Sequence, residues 1–205
     1  ASEIKFKGNK ELIEIIGQAI DDEYIKELTT ISLSPEAISR HKDMKIVYTP
    51  IHGTGVKLVP AALKAYGFTN IIHVPEQDVV SGDFPTVISP NPEEPAALAM
   101  AVEKAKETDA ELVMASDPDA DRVGAAVKNN EGEWVLLNGN QTALMFVYYL
   151  ITRWKELGKI NGKEYIVKTI VTTETIKTIA ERNGVEMYDV YTLSLIHISE
   201  PARLR

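Results

Sequence analysis

The 205-residue sequence contains no cysteine, which excludes disulfide bonds and thiolate ligands for a metal. Its four histidines (His41, His52, His73 and His197) do not show the HxxxH spacing of a helical zinc site. The formal net charge is −8 and no basic stripe offsets it, which argues against nucleic acid as a partner. With 44% hydrophobic and 25% charged residues, the composition is otherwise that of an ordinary globular protein.

Long apolar runs are also missing. The most apolar stretch, ALMFVYYLI at 143–151, has about half the length that a membrane-spanning helix requires. The first residues do not show the charged, apolar and small-residue pattern of a secretory signal. These features predict a cytoplasmic protein without a membrane partner.

Segments rich in β-branched residues alternate with amphipathic segments through most of the sequence. This alternation is typical of an α/β fold, here a mixed, mostly parallel sheet flanked by helices. The hairpin pattern VGAAVKNNEGEWVLL at 123–137 adds an antiparallel pair. The alternation itself consists of predicted strands at 44–50, 70–76 and 111–116, with a helix that ends before Gly67 and another at about 95–107 between them.

The predicted elements divide the chain into four parts. Residues 1–40 are a helical lead-in, with its main helix over 10–28. Residues 41–136 form an α/β unit, and residues 137–192 begin a second one. Residues 193–205, LSLIHISEPARLR, differ in texture from the rest and resemble a translated sequencing adapter, so we expect a non-native tail.

Three aspartates, Asp117, Asp119 and Asp121, alternate directly after the third predicted strand, in the stretch ASDPDADRVG. Alternate residues of an extended backbone point to the same side, so all three side chains would converge. Carboxylates this close repel one another unless a cation lies among them. Hard oxygen ligands favour magnesium, calcium or manganese over zinc or copper. The loop also falls at the carboxyl end of a strand, where parallel sheets bind their ligands.

Three other interpretations compete with a magnesium-type site. An EF-hand needs glycine at its sixth position and glutamate at its twelfth, where this sequence has Arg122 and Lys128. A dehalogenase-like phosphatase expects threonine or valine two residues after its second aspartate, where Asp121 stands. A solvated acidic turn without a ligand is the third alternative.

Five stretches follow one another along the chain in a familiar order. They are VYTPIHGTG, SGDFPTVISPNPEEP, ASDPDADRVG, LLNGNQTALM and VKTIVTTETIKTIAERNGVEMYDVYT. Together they resemble the α-D-phosphohexomutases, the phosphoglucomutase/phosphomannomutase family, over roughly residues 10–192. The resemblance implies that residues 1–40 lead in from a missing first domain, that 41–136 are the metal-binding domain and that 137–192 are a truncated sugar-binding domain. It implies a magnesium ion held by Asp117, Asp119 and Asp121 and completed by a phosphoserine from the first domain. It also implies that Arg122 orients a loop aspartate or contacts that phosphoserine.

The same resemblance implies a reaction and a substrate. Family members interconvert the 1-phosphate and 6-phosphate of a sugar, glucose or mannose, through a phosphoserine enzyme and a bisphosphate intermediate. No TASHNP-like phosphoserine loop occurs in this sequence, so we expect a fragment without activity of its own. A phosphopentomutase of the same superfamily, a metal-dependent phosphatase and a noncatalytic metal- or phosphate-binding module stay open as alternatives.

A few other residues have both a structural and a functional interpretation. The HGTG turn at 52–55 presents backbone N–H groups that face an anion in some proteins, but a conformational role for its glycines is the favoured reading. The remaining candidates are expected to be structural: His52 and the Phe84-Pro85 pair in packing, and Ser34, Thr172 and Thr173 in helix capping.

Overall fold

A computed structural model describes residues 8–192, which form an α/β structure with two sheets flanked by helices. This confirms the predicted fold class. In chain order the elements are a short 3-10 turn (Lys10–Leu12), α1 (Gly17–Thr30), α2 (Pro35–Arg40), β1 (Lys45–Thr49), α3 (Gly55–Tyr66), β2 (Asn70–His73), α4 (Pro95–Thr108), β3 (Leu112–Ser116), β4 (Val123–Lys128), β5 (Trp134–Leu137), α5 (Gly139–Glu156), β6 (Tyr165–Thr169), α6 (Thr175–Arg182) and β7 (Glu186–Val190).

The first sheet has the strand order β2-β1-β3-β4-β5. β1 runs parallel to both β2 and β3, whereas β4 and β5 form the predicted antiparallel hairpin beside β3. Because β1 and β3 are parallel neighbours, the loops that follow them leave the same edge of the sheet side by side. One of these loops contains the HGTG turn and the other contains the three aspartates.

The main core lies between this sheet and α4. Val47 of β1 and Val113 of β3 are fully buried and belong to one cluster with Leu98 of α4. Alanines on the same helix face, Ala97 and Ala101, let α4 lie close to the sheet. Full burial of a leucine side chain stabilises the fold by about 1.5–3 kcal/mol. This cluster therefore stabilises β1 and β3, the two strands that the loops follow.

The second unit is a parallel strand–helix–strand repeat in which α6 connects β6 to β7, as predicted. Its small core joins Ile151 of α5 to Ala180 of α6 and to Val185. Ile151 is the buried residue of α5, whereas Leu150 and Trp154 are exposed.

Two predictions for the lead-in need correction. The helix predicted over 10–28 begins only at Gly17, whose φ of 56° lies in the left-handed region and does not continue a right-handed helix toward the N-terminus. Ser34 precedes α2 as predicted, but its hydroxyl makes no capping bond. The Ser34 hydroxyl instead accepts a hydrogen bond from Tyr149 of α5 at 2.8 Å.

The apolar run at 143–151 belongs to α5. None of the helices found within residues 8–192 is long and apolar enough to cross a membrane. The tail predicted at 193–205 lies outside the described residues.

Candidate metal centre

The three aspartates lie in the loop between β3 and β4, at the carboxyl edge of β3. One carboxylate oxygen from each of Asp117, Asp119 and Asp121 lies within 4.8 Å of the other two. Asp117 is buried, whereas Asp119 and Asp121 are exposed. The structure therefore brings together the three residues that the sequence singled out.

The backbone that brings them together is turned and not extended. Ala120 has a φ of 60°, and its N–H donates to the C=O of Asp117 at 3.0 Å. The prediction that an extended backbone aligns the three side chains is therefore wrong. A tight turn produces the convergence instead.

Arg122 binds both oxygens of Asp117. Its backbone N–H donates to Oδ1 at 2.9 Å, and its Nε–H donates to Oδ2 at 2.7 Å. The same Nε is 3.9 Å from Oδ1 of Asp121, while the Arg122 side chain keeps 55% of its surface exposed. This geometry matches one of the two roles expected of Arg122, the orientation of a loop aspartate.

These contacts change the proton affinities in the loop. Burial alone raises the pKa of Asp117, but the hydrogen bonds and positive charge of Arg122 outweigh it and hold the pKa below its usual value. The pKa of Asp121 is raised, because its carboxyl shares a hydrogen bond with Asp117 and is repelled by the charges of Asp119 and Asp117. Asp117 therefore loses its proton more easily than an ordinary aspartate, whereas repulsion from its neighbours makes Asp121 harder to ionise.

The donor set fits a hard divalent cation. Carboxylate oxygens are the ligands that magnesium prefers, and magnesium usually keeps several waters. Arg122 uses one lone pair on each oxygen of Asp117, so each oxygen retains acceptor capacity. Exposed Asp119 and Asp121 leave the site open to solvent. Within the described part of the chain, this is the one cluster of three or more such side chains with ligand spacing.

The HGTG turn lies against the aspartate loop. The backbone N–H groups of His52, Gly53 and Thr54 all donate to protein carbonyl groups, at 2.8–2.9 Å. Since these donors are already used, anion binding by the turn finds no support, and the conformational role is favoured. The sequence analysis did not predict the contact between the turn and the loop. The expected parallel sheet was a signal for it, because the turn follows β1, the loop follows β3, and these two strands are neighbours.

A buried network holds the loop after β2 against the same turn. The ring of His52 contacts the C=O of Val79 and the hydroxyl of Thr86, each at 2.8 Å. Thr49 donates to the side chain of Gln77 at 2.7 Å, and Gln77 donates to Thr86 at 3.2 Å. A ring that donates from Nδ1 to Val79 and accepts at Nε2 from Thr86 satisfies every contact, so His52 has the structural role that the sequence predicts.

A cleft of about 420 Å³ opens between the two units. It is lined by Glu93 of the NPEEP stretch together with Asn138, Gly139, Asn140, Ala143 and Thr172. Asn140 accepts the N–H of Thr173 at 3.0 Å, which joins α5 to the loop after β6. The Thr173 hydroxyl accepts the N–H of Thr175 at the start of α6, whereas the Thr172 hydroxyl pairs with Thr169 and does not cap a helix.

Comparison with known proteins identifies relatives of this chain. Residues 22–132 match the family model for the phosphoglucomutase/phosphomannomutase alpha/beta/alpha domain II. A probable phosphoribomutase from Schizosaccharomyces pombe is 39% identical over 152 residues, which are 74% of this chain and 26% of that protein. A phosphoglucomutase from Staphylococcus saprophyticus is 33% identical over 180 residues, which are 88% of this chain and 31% of that protein. The chain thus spans less than a third of the length of either relative.

Solved structures share the fold. A phosphoglucomutase/phosphomannomutase family protein from Burkholderia thailandensis superposes with a TM-score of 0.67 at 22% identity, covering 88% of this chain and 35% of that one. An Aspergillus fumigatus N-acetylphosphoglucosamine mutase, in complex with GlcNAc-6P and magnesium, superposes with a TM-score of 0.57 at 16% identity, covering 84% and 35%. At these identities the likeness shows the fold alone.

Proposed function

We propose a function from the premise that the chain belongs to the phosphoglucomutase/phosphomannomutase family, whose domain II model matches more than half of it. The chain contains the second domain (41–136) and the first part of the third (137–192) of a magnesium-dependent phosphohexomutase. The parent enzyme acts in the cytoplasm and interconverts the 1-phosphate and 6-phosphate of glucose or mannose. One observation carries the proposal: three carboxylates converge at the end of β3, and the buried one is bound by Arg122.

The three aspartates and Arg122 have different roles in this proposal. Asp117, Asp119 and Asp121 hold the magnesium ion, and Arg122 keeps Asp117 oriented and ionised. A bound magnesium ion would supply positive charge at a phosphoryl oxygen, and phosphoryl transfer depends chiefly on charge neutralisation and positioning. A serine of the first domain gives its phosphoryl group to the sugar phosphate and receives the other phosphoryl group of the resulting bisphosphate. The serine ends phosphorylated, so the net reaction is an isomerisation.

The phosphosugar lies at the carboxyl edge of the strands in this proposal, as ligands of such sheets do. The cleft lined by Glu93, Asn138 and Asn140 offers a carboxylate and two amides to sugar hydroxyls. The Aspergillus fumigatus mutase that shares this fold was solved with GlcNAc-6P and magnesium.

A phosphopentomutase is the second candidate, and the 39% identity to a probable phosphoribomutase favours it. Both candidates use the same metal loop. The choice between hexose and pentose therefore depends on other parts of the parent enzyme.

The metal role is tested by titrating the full chain with Mg²⁺ in a calorimeter, for the wild type and for Asp119→Asn. The substitution removes one ligand charge from an exposed position, so the fold should persist while the dissociation constant rises at least about tenfold. Asp83→Asn, at an exposed aspartate outside the cluster, is the matched control and should bind like the wild type. Equal affinity of the wild type and Asp119→Asn would contradict the metal role. So would a wild type that fails to bind Mg²⁺ even when inorganic phosphate is added.

The reaction is tested on the full-length parent with glucose 1-phosphate, mannose 1-phosphate and ribose 1-phosphate as separate substrates. A higher kcat/KM for a hexose phosphate supports the hexomutase, and a higher value for ribose 1-phosphate supports the pentose candidate. The absence of conversion with all three would contradict both and favour a noncatalytic module. The 205-residue chain alone should give no turnover, because the serine nucleophile is not in it.

A further inference from the structure

We propose that Gly53, Thr54 and Gly55 position the aspartate loop and thereby set its affinity for a divalent cation. We call these residues the 53–55 turn. The proposal deepens the proposed function and rests on it, because it concerns the same metal site. The N–H groups of Gly53 and Thr54 and the Thr54 hydroxyl already bind protein carbonyl groups, so the proposed role of the turn is to hold the loop and not to bind the ion.

Thr54 binds the aspartate loop twice through one carbonyl group. Its N–H and its hydroxyl both donate to the C=O of Pro118, at 2.8 Å and 3.1 Å. Pro118 lies between Asp117 and Asp119, so these bonds fix the backbone that joins two proposed ligands. The Thr54 side chain makes no capping bond to α3, which leaves the loop contact as the role of its hydroxyl.

Gly53 lets the backbone of the loop come this close. A Cβ at position 53 would lie 2.6 Å from the carbonyl oxygen of Pro118 and 2.8 Å from its carbonyl carbon, closer than real Cβ atoms approach. The φ of Gly53 is outside the left-handed region, so the turn conformation does not itself require glycine. The close approach requires it.

Gly55 makes the same kind of approach on the other side of Asp117. A Cβ at position 55 would lie 2.7 Å from Oγ of Ser116 and closer still to Oη of Tyr48. These two hydroxyls share a buried hydrogen bond of 2.8 Å. The 53–55 turn therefore contacts the residues immediately before and after Asp117.

The two residues before the 53–55 turn, Ile51 and His52, hold it in place. Ile51 and His52 are fully buried, and both have left-handed φ values, 45° and 63°. The N–H of His52 donates to the C=O of Gln77 at 2.9 Å, and its C=O accepts the N–H of Ser81 at 3.1 Å. Such backbone conformations persist only where the surrounding structure fixes them, so the turn is a rigid template for the loop.

A rigid template matters because the aspartates repel one another. Without a cation, repulsion among Asp117, Asp119 and Asp121 favours an opened loop. The contacts at Ser116 and Pro118 oppose this opening. Less of the binding free energy is then needed to assemble the ligands when a cation arrives, which is the usual effect of preorganisation.

Thr54→Val and Gly53→Ala test the proposal in the full chain, with Mn²⁺ titrated in a calorimeter as the probe. Thr54→Val removes the hydroxyl donor alone, and Gly53→Ala introduces the Cβ that meets Pro118. We expect the Mn²⁺ dissociation constant to rise about tenfold in Thr54→Val and further in Gly53→Ala.

Each variant has a matched control. Thr69 also donates its N–H to the C=O of Lys42, at 2.8 Å, and its hydroxyl lies 3.1 Å from the same oxygen and 3.0 Å from Oδ1 of Asp43, so Thr69→Val removes a bonded threonine hydroxyl elsewhere. Gly82→Ala adds a Cβ in open space at a glycine without a left-handed φ. Both controls should bind Mn²⁺ within about twofold of the wild type.

Amide hydrogen exchange without metal gives a second readout that is independent of the ion. The N–H groups of Ala120 and Arg122 donate to Asp117 at 3.0 Å and 2.9 Å. Thr54→Val should raise their exchange rates about fivefold, the effect of losing one hydrogen bond. Exchange rates in β3 should stay unchanged.

The outcomes separate this proposal from the metal site itself. If the wild type binds Mn²⁺ and Thr54→Val binds it equally well, with unchanged exchange at Ala120, positioning by the turn is overturned and the metal site stands. If the wild type does not bind Mn²⁺ even when inorganic phosphate is added, the proposed metal function is overturned together with this proposal. If circular dichroism shows that Gly53→Ala does not fold, Thr54→Val alone decides.

Discussion

Replacing Tyr48 with phenylalanine should destabilise the protein near neutral pH and stabilise it in alkali. The Tyr48 side chain is fully buried, and its hydroxyl shares a hydrogen bond of 2.8 Å with Ser116, directly before Asp117. Burial raises the pKa of Tyr48 to about 12; the bond to Ser116 opposes the rise and the charge of Asp78 adds to it. The hydroxyl therefore stabilises the fold only while it is protonated.

The magnitude follows from the two pKa values. In the unfolded chain Tyr48 loses its proton at the ordinary pKa of 10.0, whereas in the folded protein it keeps the proton up to about 12. Stability from this group is complete below pH 10 and is lost as the pH rises through the folded pKa. The loss is about 1.4 kcal/mol at pH 11 and about 2.3 kcal/mol at pH 12. Tyr48→Phe avoids this loss but forfeits a hydrogen bond of about 1 kcal/mol, so the two stability curves should cross near pH 11.

Urea denaturation of the wild type and Tyr48→Phe at about pH 8, 10 and 11 measures the difference in the free energy of unfolding. Tyr148→Phe, at an exposed tyrosine, is the control for the loss of a hydroxyl that is not buried. A Tyr48→Phe difference that is the same at the lowest and highest pH would refute the reasoning. It would mean that the buried hydroxyl ionises as readily as in the unfolded chain.

Three further substitutions test the core and the loop, each by urea denaturation. Leu98→Ala should lower the free energy of unfolding by about 2–5 kcal/mol, since Leu98 is fully buried between α4 and the sheet; a loss below about 1 kcal/mol would contradict that packing. Arg122→Gln should lower it by about 1 kcal/mol at neutral pH, a value reduced by the exposure of Arg122. Folding lowers the pKa of Asp117, so its ion pair with Arg122 stabilises the fold fully above the pKa that Asp117 has in the unfolded chain. The difference in the free energy of unfolding between the wild type and Arg122→Gln should therefore vanish as the pH falls through the pKa of Asp117 in the folded protein. A difference that does not change with pH would argue against the ion pair. Gly124→Ala should destabilise the fold by about 1–3 kcal/mol, since its Cβ would lie 2.8 Å from the carbonyl carbon of Pro92 and closer to the oxygen; a variant as stable as the wild type would show that this contact yields easily.

The order of the helices and strands could be predicted from the sequence, because it depends on local patterns. Gly67 ends α3 with a φ of 116°, a conformation that glycine alone adopts readily, so the glycine marks the boundary in the sequence. The aspartates were identifiable for a similar reason, since residue type and spacing alone limit what such a loop can bind. The family model over residues 22–132 agrees with the resemblance drawn from the five stretches.

The details of the site depend on contacts between distant residues, and local patterns do not contain them. Ala120 has a left-handed φ although it is not glycine, and a bond to Asp117 accompanies this strained turn. Thr54 contacts Pro118, 64 residues away, only because β1 and β3 are neighbours in the sheet. The strand order must therefore be known before the contact between Thr54 and Pro118 can be predicted.

Arg122 does not neutralise all three aspartates of the loop, because it binds mainly the buried one. Arg122 binds both oxygens of buried Asp117 and stays 3.9 Å from Asp121, so it compensates the one carboxylate that water does not reach well. Exposed Asp119 and Asp121 keep their charge in contact with solvent. An arginine placed equally among all three would stabilise the empty loop and compete with an incoming ion. The two short bonds of Arg122 go to Asp117 and its longer ion pair to Asp121, so one positive charge faces three carboxylates and the open side of the loop keeps a net negative charge.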